Sequence, residues 1–159
     1  MNQDLPVKLV LDAWFANISR TDALFNGLTD EQLQGEVSPG RNRGVYLLGH
    51  LAAVHDRMLP LLDLGPQLYT HLDDTFLSKP DKTVTDMPSV ADLRDNWKDV
   101  NATLANKFAA MQPEDWFSRH TSVSEEDFAK EPHRNKLNII ISRTNHLASH
   151  FGQLLFLKK

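Results

Sequence analysis

The sequence predicts an all-α protein built on four main helices, most simply a four-helix bundle. Three observations carry that expectation. Apolar residues recur three and four apart along most of the 159-residue chain. The long periodic stretches are bounded by helix start and stop residues. The one β-branched run, Ile139-Ile140-Ile141, falls inside a helical period, so strand signals stay weak. The length suits a single domain over residues 1–159, and a chain of this size buries roughly 68–70% of its unfolded surface.

Local signals set the expected elements one by one. Pro6 fits the first turn of a first helix running to about Gly27, with Val7, Val10, Leu11, Trp14 and Ile18 as its apolar stripe. Thr29-Asp30-Glu31-Gln32 reads as a capping box that opens a short helical turn. Ser38-Pro39-Gly40-Arg41-Asn42-Arg43 reads as turn and loop. A second long helix spans about 45–64, with Leu47, Leu51, Val54, Met58 and Leu61 on one face and Gly65-Pro66 as its stop. Pro60 should kink that helix or end it early. Residues 67–88 carry two more prolines and no strong period, so they read as a long crossover with room for a turn of helix. Such a connection suits consecutive helices that are not simple antiparallel neighbours. Ser89, with Asp92 three residues on, caps a third long helix that buries Val90, Leu93, Trp97, Val100, Leu104 and Phe108 up to about Met111. Gln112 to Trp116 begins another short turn, residues 117–134 read as polar and irregular, and a fourth long helix spans about 136–157.

Composition narrows the chemistry. The chain has no cysteine, which excludes thiolate zinc ligands, iron–sulfur clusters, disulfides and a cysteine nucleophile together. Any metal must be held by His, Asp or Glu. A net charge of -4 argues against nucleic-acid binding, which needs clustered cations. No apolar run approaches the ~18 residues of a membrane span. The start, Met1-Asn2-Gln3-Asp4, lacks a basic leader segment, and Lys8 and Asp12 interrupt the apolar stretch after it, so a cytoplasmic location is expected. The metalloprotease His-Glu-x-x-His, the Walker loop, the Gly-x-Ser-x-Gly elbow and the dinucleotide glycine fingerprint are all absent. Arg41, Arg43, Arg134 and Lys136 read as solvated loop charge, and Trp14, Trp97 and Trp116 as core or pocket wall.

Seven histidines remain as the chemically informative set. His146 and His150 stand at i and i+4, on one face of the fourth long helix, where two imidazoles can share one ion. Both lie beside the apolar row Ile140, Leu147, Phe151 and Leu154. His50 flanks the row Leu47, Leu51 and Val54 of the second long helix, so the three can converge in a bundle core. His55, about 140° around the helix from His50, cannot easily join them. His71, His120 and His133 read as solvent-exposed loop residues. Gly49 and Gly152 adjoin the candidate ligands, and a helical glycine costs ~1 kcal/mol against alanine, which suggests a close approach at each. All three candidate ligands must be neutral to bind, so metal affinity should weaken below about pH 6.

Leu47-Leu48-Gly49-His50-Leu51, followed much later by His146-x-x-x-His150-Phe151-Gly152-Gln153-Leu154, resembles the DinB-like (DinB/YfiT) superfamily. The likeness extends to the helix order and to the Leu28-Thr29-Asp30-Glu31-Gln32-Leu33 segment. It implies a four-helix bundle of up-down-down-up topology, a metal held by His50, His146 and His150, and a homodimer. Characterised members of that superfamily include transferases and isomerases that use small thiols such as bacillithiol or mycothiol. The resemblance therefore implies a metal-dependent transferase acting on a small-molecule electrophile with a low-molecular-weight thiol as cosubstrate. The alternatives are a hydrolase working through metal-activated water and a non-catalytic metal- or ligand-binding stress-response bundle. Zinc or nickel suits three imidazoles best, and iron(II) and copper are also compatible.

Overall fold

The computed structural model describes residues 4–158. Met1-Asn2-Gln3, part of the start read above for a leader, and Lys159 lie outside the described residues. The chain forms α1 (Asp4–Gly27), α2 (Asp30–Gln34), α3 (Gly44–Asp56), α4 (Met58–Leu61), α5 (Val90–Ala110), α6 (Glu125–Lys130) and α7 (Lys136–Leu154). A π-helical turn covers Asp74–Ser78, and 3-10 turns cover Pro113–Phe117 and Leu155–Leu157. Among the described residues there is no strand, only isolated bridges between Glu36 and Arg43 and between Arg119 and Asn135. The protein is all-helical, as the periodicity predicts.

Local chemistry sets the boundaries. The Thr29 side chain accepts from Gln32 N while Gln32 Oε1 accepts from Thr29 N, which closes the capping box ahead of α2. Ser89 and Asp92 do the same for α5. The expected second long helix is shorter than 45–64. Proline has no N–H, and its ring conflicts with the carbonyl four residues back, which for Pro60 is that of Asp56. Accordingly α3 stops at Asp56 and α4 restarts at Met58. The segment 117–134 is not irregular throughout, because Ser124 accepts from Asp127 N and starts α6. The spacing Ser124-x-x-Asp127 was the sequence signal for it.

Helix α1 packs along α7, and α3 packs along α5. Helix α3 also contacts α7 and the π-helical turn. One apolar cluster gathers Leu47, Leu51, Phe76, Trp97, Leu147 and Leu154, and a second gathers Trp14, Met58, Val100, Phe108, Trp116 and Ile140. Trp14, Trp97 and Trp116 are 1%, 2% and 1% exposed, so all three are core residues.

The crossover between α4 and α5 is bound along α3 rather than left loose. The buried Asp56 carboxylate accepts from Leu68 N and Tyr69 N, each at 2.8 Å. The Tyr46 hydroxyl donates to Lys79 O at 2.8 Å. Arg43 is not solvated loop charge, since its guanidinium meets Asp81 at 2.7 Å and that carboxylate is only 3% exposed. The Phe76 ring lies against Gly49, where an added Cβ would overlap it. The close approach expected at Gly49 is therefore present, and its cause is this ring. At Gly152 a Cβ would meet nothing within 4 Å, so among the described residues no other helix makes the close approach expected there.

Candidate metal centre

The sequence places His50 on α3 and His146 and His150 on α7, and the packing of these helices brings the three rings together. One ring nitrogen from each lies within 4.8 Å of the others. His146 Nε2 stands 3.1 Å from His50 Nε2 and 3.1 Å from His150 Nε2. Each ring is half-buried.

Hydrogen bonds on the far nitrogens decide what these atoms offer. His50 Nδ1 lies 2.9 Å from Phe76 O. A carbonyl only accepts, so Nδ1 carries the proton and Nε2 presents its lone pair. His150 Nδ1 lies 2.8 Å from Gln153 Oε1 and is fixed in the same tautomer. His146 Nδ1 is buried with no hydrogen-bond partner. With the proton of His146 on Nδ1, three lone pairs face one point, and hydrogen bonds alone cannot satisfy them. A cation can. Imidazole nitrogens bind zinc at about 2.0–2.1 Å, which sets two of them about 3 Å apart, close to the observed spacing. The residues fit a divalent ion.

Electrostatics keeps His50 and His146 neutral. Burial pushes His146 down to about 4, and the nearby His150, His50 and Arg143 push the same way. Burial also lowers His50, against the opposing pull of the Phe76 carbonyl, with His150 and Arg143 adding to the lowering. Both are ligand-competent at neutral pH.

The other histidines stay outside. His55 is fully buried between Trp14 and Trp97, at ring separations of 4.9 and 5.1 Å, and its Nδ1 meets Asn101 Oδ1 at 2.8 Å. Burial pushes it down to about 3. His71 and His133 are exposed, as expected. His120 corrects the sequence reading: it is 8% exposed and accepts from Ser122 N through Nδ1, because the bridged segment around Arg119 folds it inward.

A family model described as the DinB superfamily matches residues 14–154. The chain belongs to the DinB superfamily. A search of curated proteins finds no match. In this DinB-superfamily chain the matched span includes the three histidines and both groups that orient them. Sequence reasoning named neither orienting group. Gln153 sits inside the motif that begins at His146, three residues after His150 and on the same helical face, so its spacing was an available signal. The Phe76 carbonyl had none, being a backbone atom of a crossover turn. Gln153 also borders a cleft of about 490 Å3 that Val37, Ser38, Arg41, Asn42 and Phe156 line.

Proposed function

We propose that this DinB-superfamily chain is a metal-dependent enzyme in which His50, His146 and His150 hold one divalent ion, zinc or nickel before iron. The observation that carries the reading is the convergence of three Nε2 atoms, two of them with lone pairs fixed by Phe76 O and Gln153 Oε1. When bound, the ion supplies Lewis acidity at a position left open by its three protein ligands. The protein's share is to hold three imidazoles together, orient two of them through Nδ1–H, and bury His50 and His146 enough to discourage their protonation.

The reaction we favour is thiol transfer to a small electrophile. A thiol gives its proton to solvent water, its sulfur forms a bond to carbon, and the leaving group departs with the electron pair of the broken bond. Among the described residues no carboxylate joins the histidine cluster, which favours this chemistry over hydrolysis, where a protein base would activate water. The same proposal includes one domain over 1–159, an up-down-down-up bundle, a homodimer and a cytoplasmic location. The helix course is supported by end-to-end contacts. Arg94 near the start of α5 donates to Leu28 O just past α1, and Gly44 at the start of α3 neighbours Leu157 just past α7.

Elemental mass spectrometry on tag-free protein tests the centre. We expect about one divalent ion per chain, lost in His146→Ala. An unchanged metal content in that variant sinks the assignment. Turnover of an electrophile that depends on added thiol then separates the transferase from the hydrolase, and light scattering at twice the 18.0 kDa chain mass would support the dimer.

A further inference from the structure

Arg143 stands apart from the other cations of this chain. Among the described residues it has no ion pair, and its Nε is buried without a hydrogen-bond partner. An arginine that merely covers apolar surface lays its stem there and carries its guanidinium into water. Here a buried N–H is left unmade, a loss that an incoming acceptor recovers. The side chain borders a cleft of about 380 Å3 that Arg57, Gln67, Thr121 and Ser122 also line.

The position of that cleft relative to the histidines follows from helix geometry. Arg143, His146 and His150 stand at i, i+3 and i+7, on one stripe of α7. Arg143 is thus about 4.5 Å along the helix axis from His146 and about 10 Å from His150. On the facing side, His50 and Arg57 are likewise seven residues apart, at α3 and just past its end. Histidines occupy one level of the α3–α7 groove and arginines the next. The positive charge of Arg143 lowers His50, His55 and His146, so its field reaches the metal centre.

We propose that Arg143 binds a carboxylate of the small molecule processed at the three histidines. The planar guanidinium fork matches two carboxylate oxygens. Charge counting favours a carboxylate over a phosphate. Arg57 gives its Nε to Asp73 Oδ2 at 2.9 Å, and Asp73 also takes Gln67 Nε2 at 3.2 Å. Arg57 and Asp73 cancel, so the cleft offers the single uncompensated charge of Arg143, and a phosphate dianion would put its second charge beside Asp73. The link to catalysis rests on the metal-centre reading above, whereas the anion site itself does not.

The test monitors the Arg143 Nε–H resonance in metal-free protein. We expect propionate to shift it saturably and its neutral isostere propionamide to leave it unmoved. Arg143→Gln lacks that N–H and is titrated by calorimetry beside the parent protein; checked for fold by circular dichroism, it should bind propionate about tenfold more weakly or worse. No saturable shift in the parent protein overturns the proposal, as does undiminished binding by Arg143→Gln. Phosphate binding tenfold tighter than propionate overturns the choice of carboxylate. Propionate binding retained in a His50→Ala, His146→Ala, His150→Ala variant supports the site, even where the parent protein takes up no zinc and the metal reading alone has failed. For the link between the two, 3-mercaptopropionate should bind zinc-loaded protein about tenfold tighter than 2-mercaptoethanol, a preference erased by Arg143→Gln. Equal binding of the two thiols to the parent protein breaks the link.

Discussion

His150 and Gln153 illustrate how one side chain prepares another. The amide oxygen accepts a hydrogen bond from Nδ1–H at 2.8 Å and turns Nε2 toward His146. Partners of this kind are worth about 10–100-fold in metal affinity. We expect Gln153→Ala to weaken zinc binding by about that factor in a chelator-competition titration, with the melting temperature of the metal-free protein unchanged. An affinity equal to the parent's would show that the hydrogen bond does not orient the ring. The histidine triad itself was legible at the residue scale. A spacing of four on an amphipathic helix fixes two rings on one face, and apolar neighbours point that face inward. His120 was not legible, since its burial comes from the chain returning against itself rather than from any helical period.

At the element scale, caps are the clearest case of sequence controlling structure. The Ser89 hydroxyl satisfies Asp92 N at 3.1 Å, one of the open N–H groups of α5. Ser89→Ala should destabilise the protein by about 1 kcal/mol in urea unfolding, with little effect on metal binding. The contact between α3 and the crossover makes a different demand. Only glycine at 49 leaves room for the Phe76 ring, and the Phe76 carbonyl holds His50. Gly49→Ala forces the ring to move and should cost about 1–3 kcal/mol of stability. Because that carbonyl moves with its ring, we expect zinc affinity to fall as well, read by the same competition titration. Lost stability with unchanged zinc affinity would show that His50 does not depend on the turn. Among the elements, α1, α5 and α7 follow from periodicity and caps, while the π-helical turn does not. No local propensity specifies it, and it forms where the fully buried Leu72 and Phe76 settle against α3.

For the molecule as a whole, buried imidazoles set the response to acid. His146 is held at about 4 and His55 at about 3, against the ordinary 6.5 of an unfolded chain. Above pH 6.5 neither state carries these protons and the two groups contribute nothing to the pH dependence. Between pH 6.5 and about 3 the unfolded chain binds protons that the folded chain refuses, so stability falls as pH falls. The melting temperature of metal-free protein should therefore drop steadily from pH 7 to pH 4, while the His55 ring resonances stay untitrated over that range. A flat melting temperature would contradict the burial of both rings. The lowering of His50 and His146 also shifts proton competition at these two candidate ligands to lower pH than the sequence suggests.

The sequence by itself determined the helical class, most helix limits and the two helices that carry the histidines, because periodicity and capping act over three or four neighbouring residues. Pro60 announced its break by the same local rules, whereas the short α6 was missed although its Ser124 cap is equally local. Only the tertiary structure decided how the histidines are used. The proton positions on His50 and His150, the seat of Phe76 on Gly49, the buried pairing of Arg43 with Asp81 and the unpartnered Nε of Arg143 depend on which helices lie side by side. Such contacts join residues far apart in the chain, and hydrogen bonding and desolvation act through space, so their strength is set by distance and burial that no local pattern encodes.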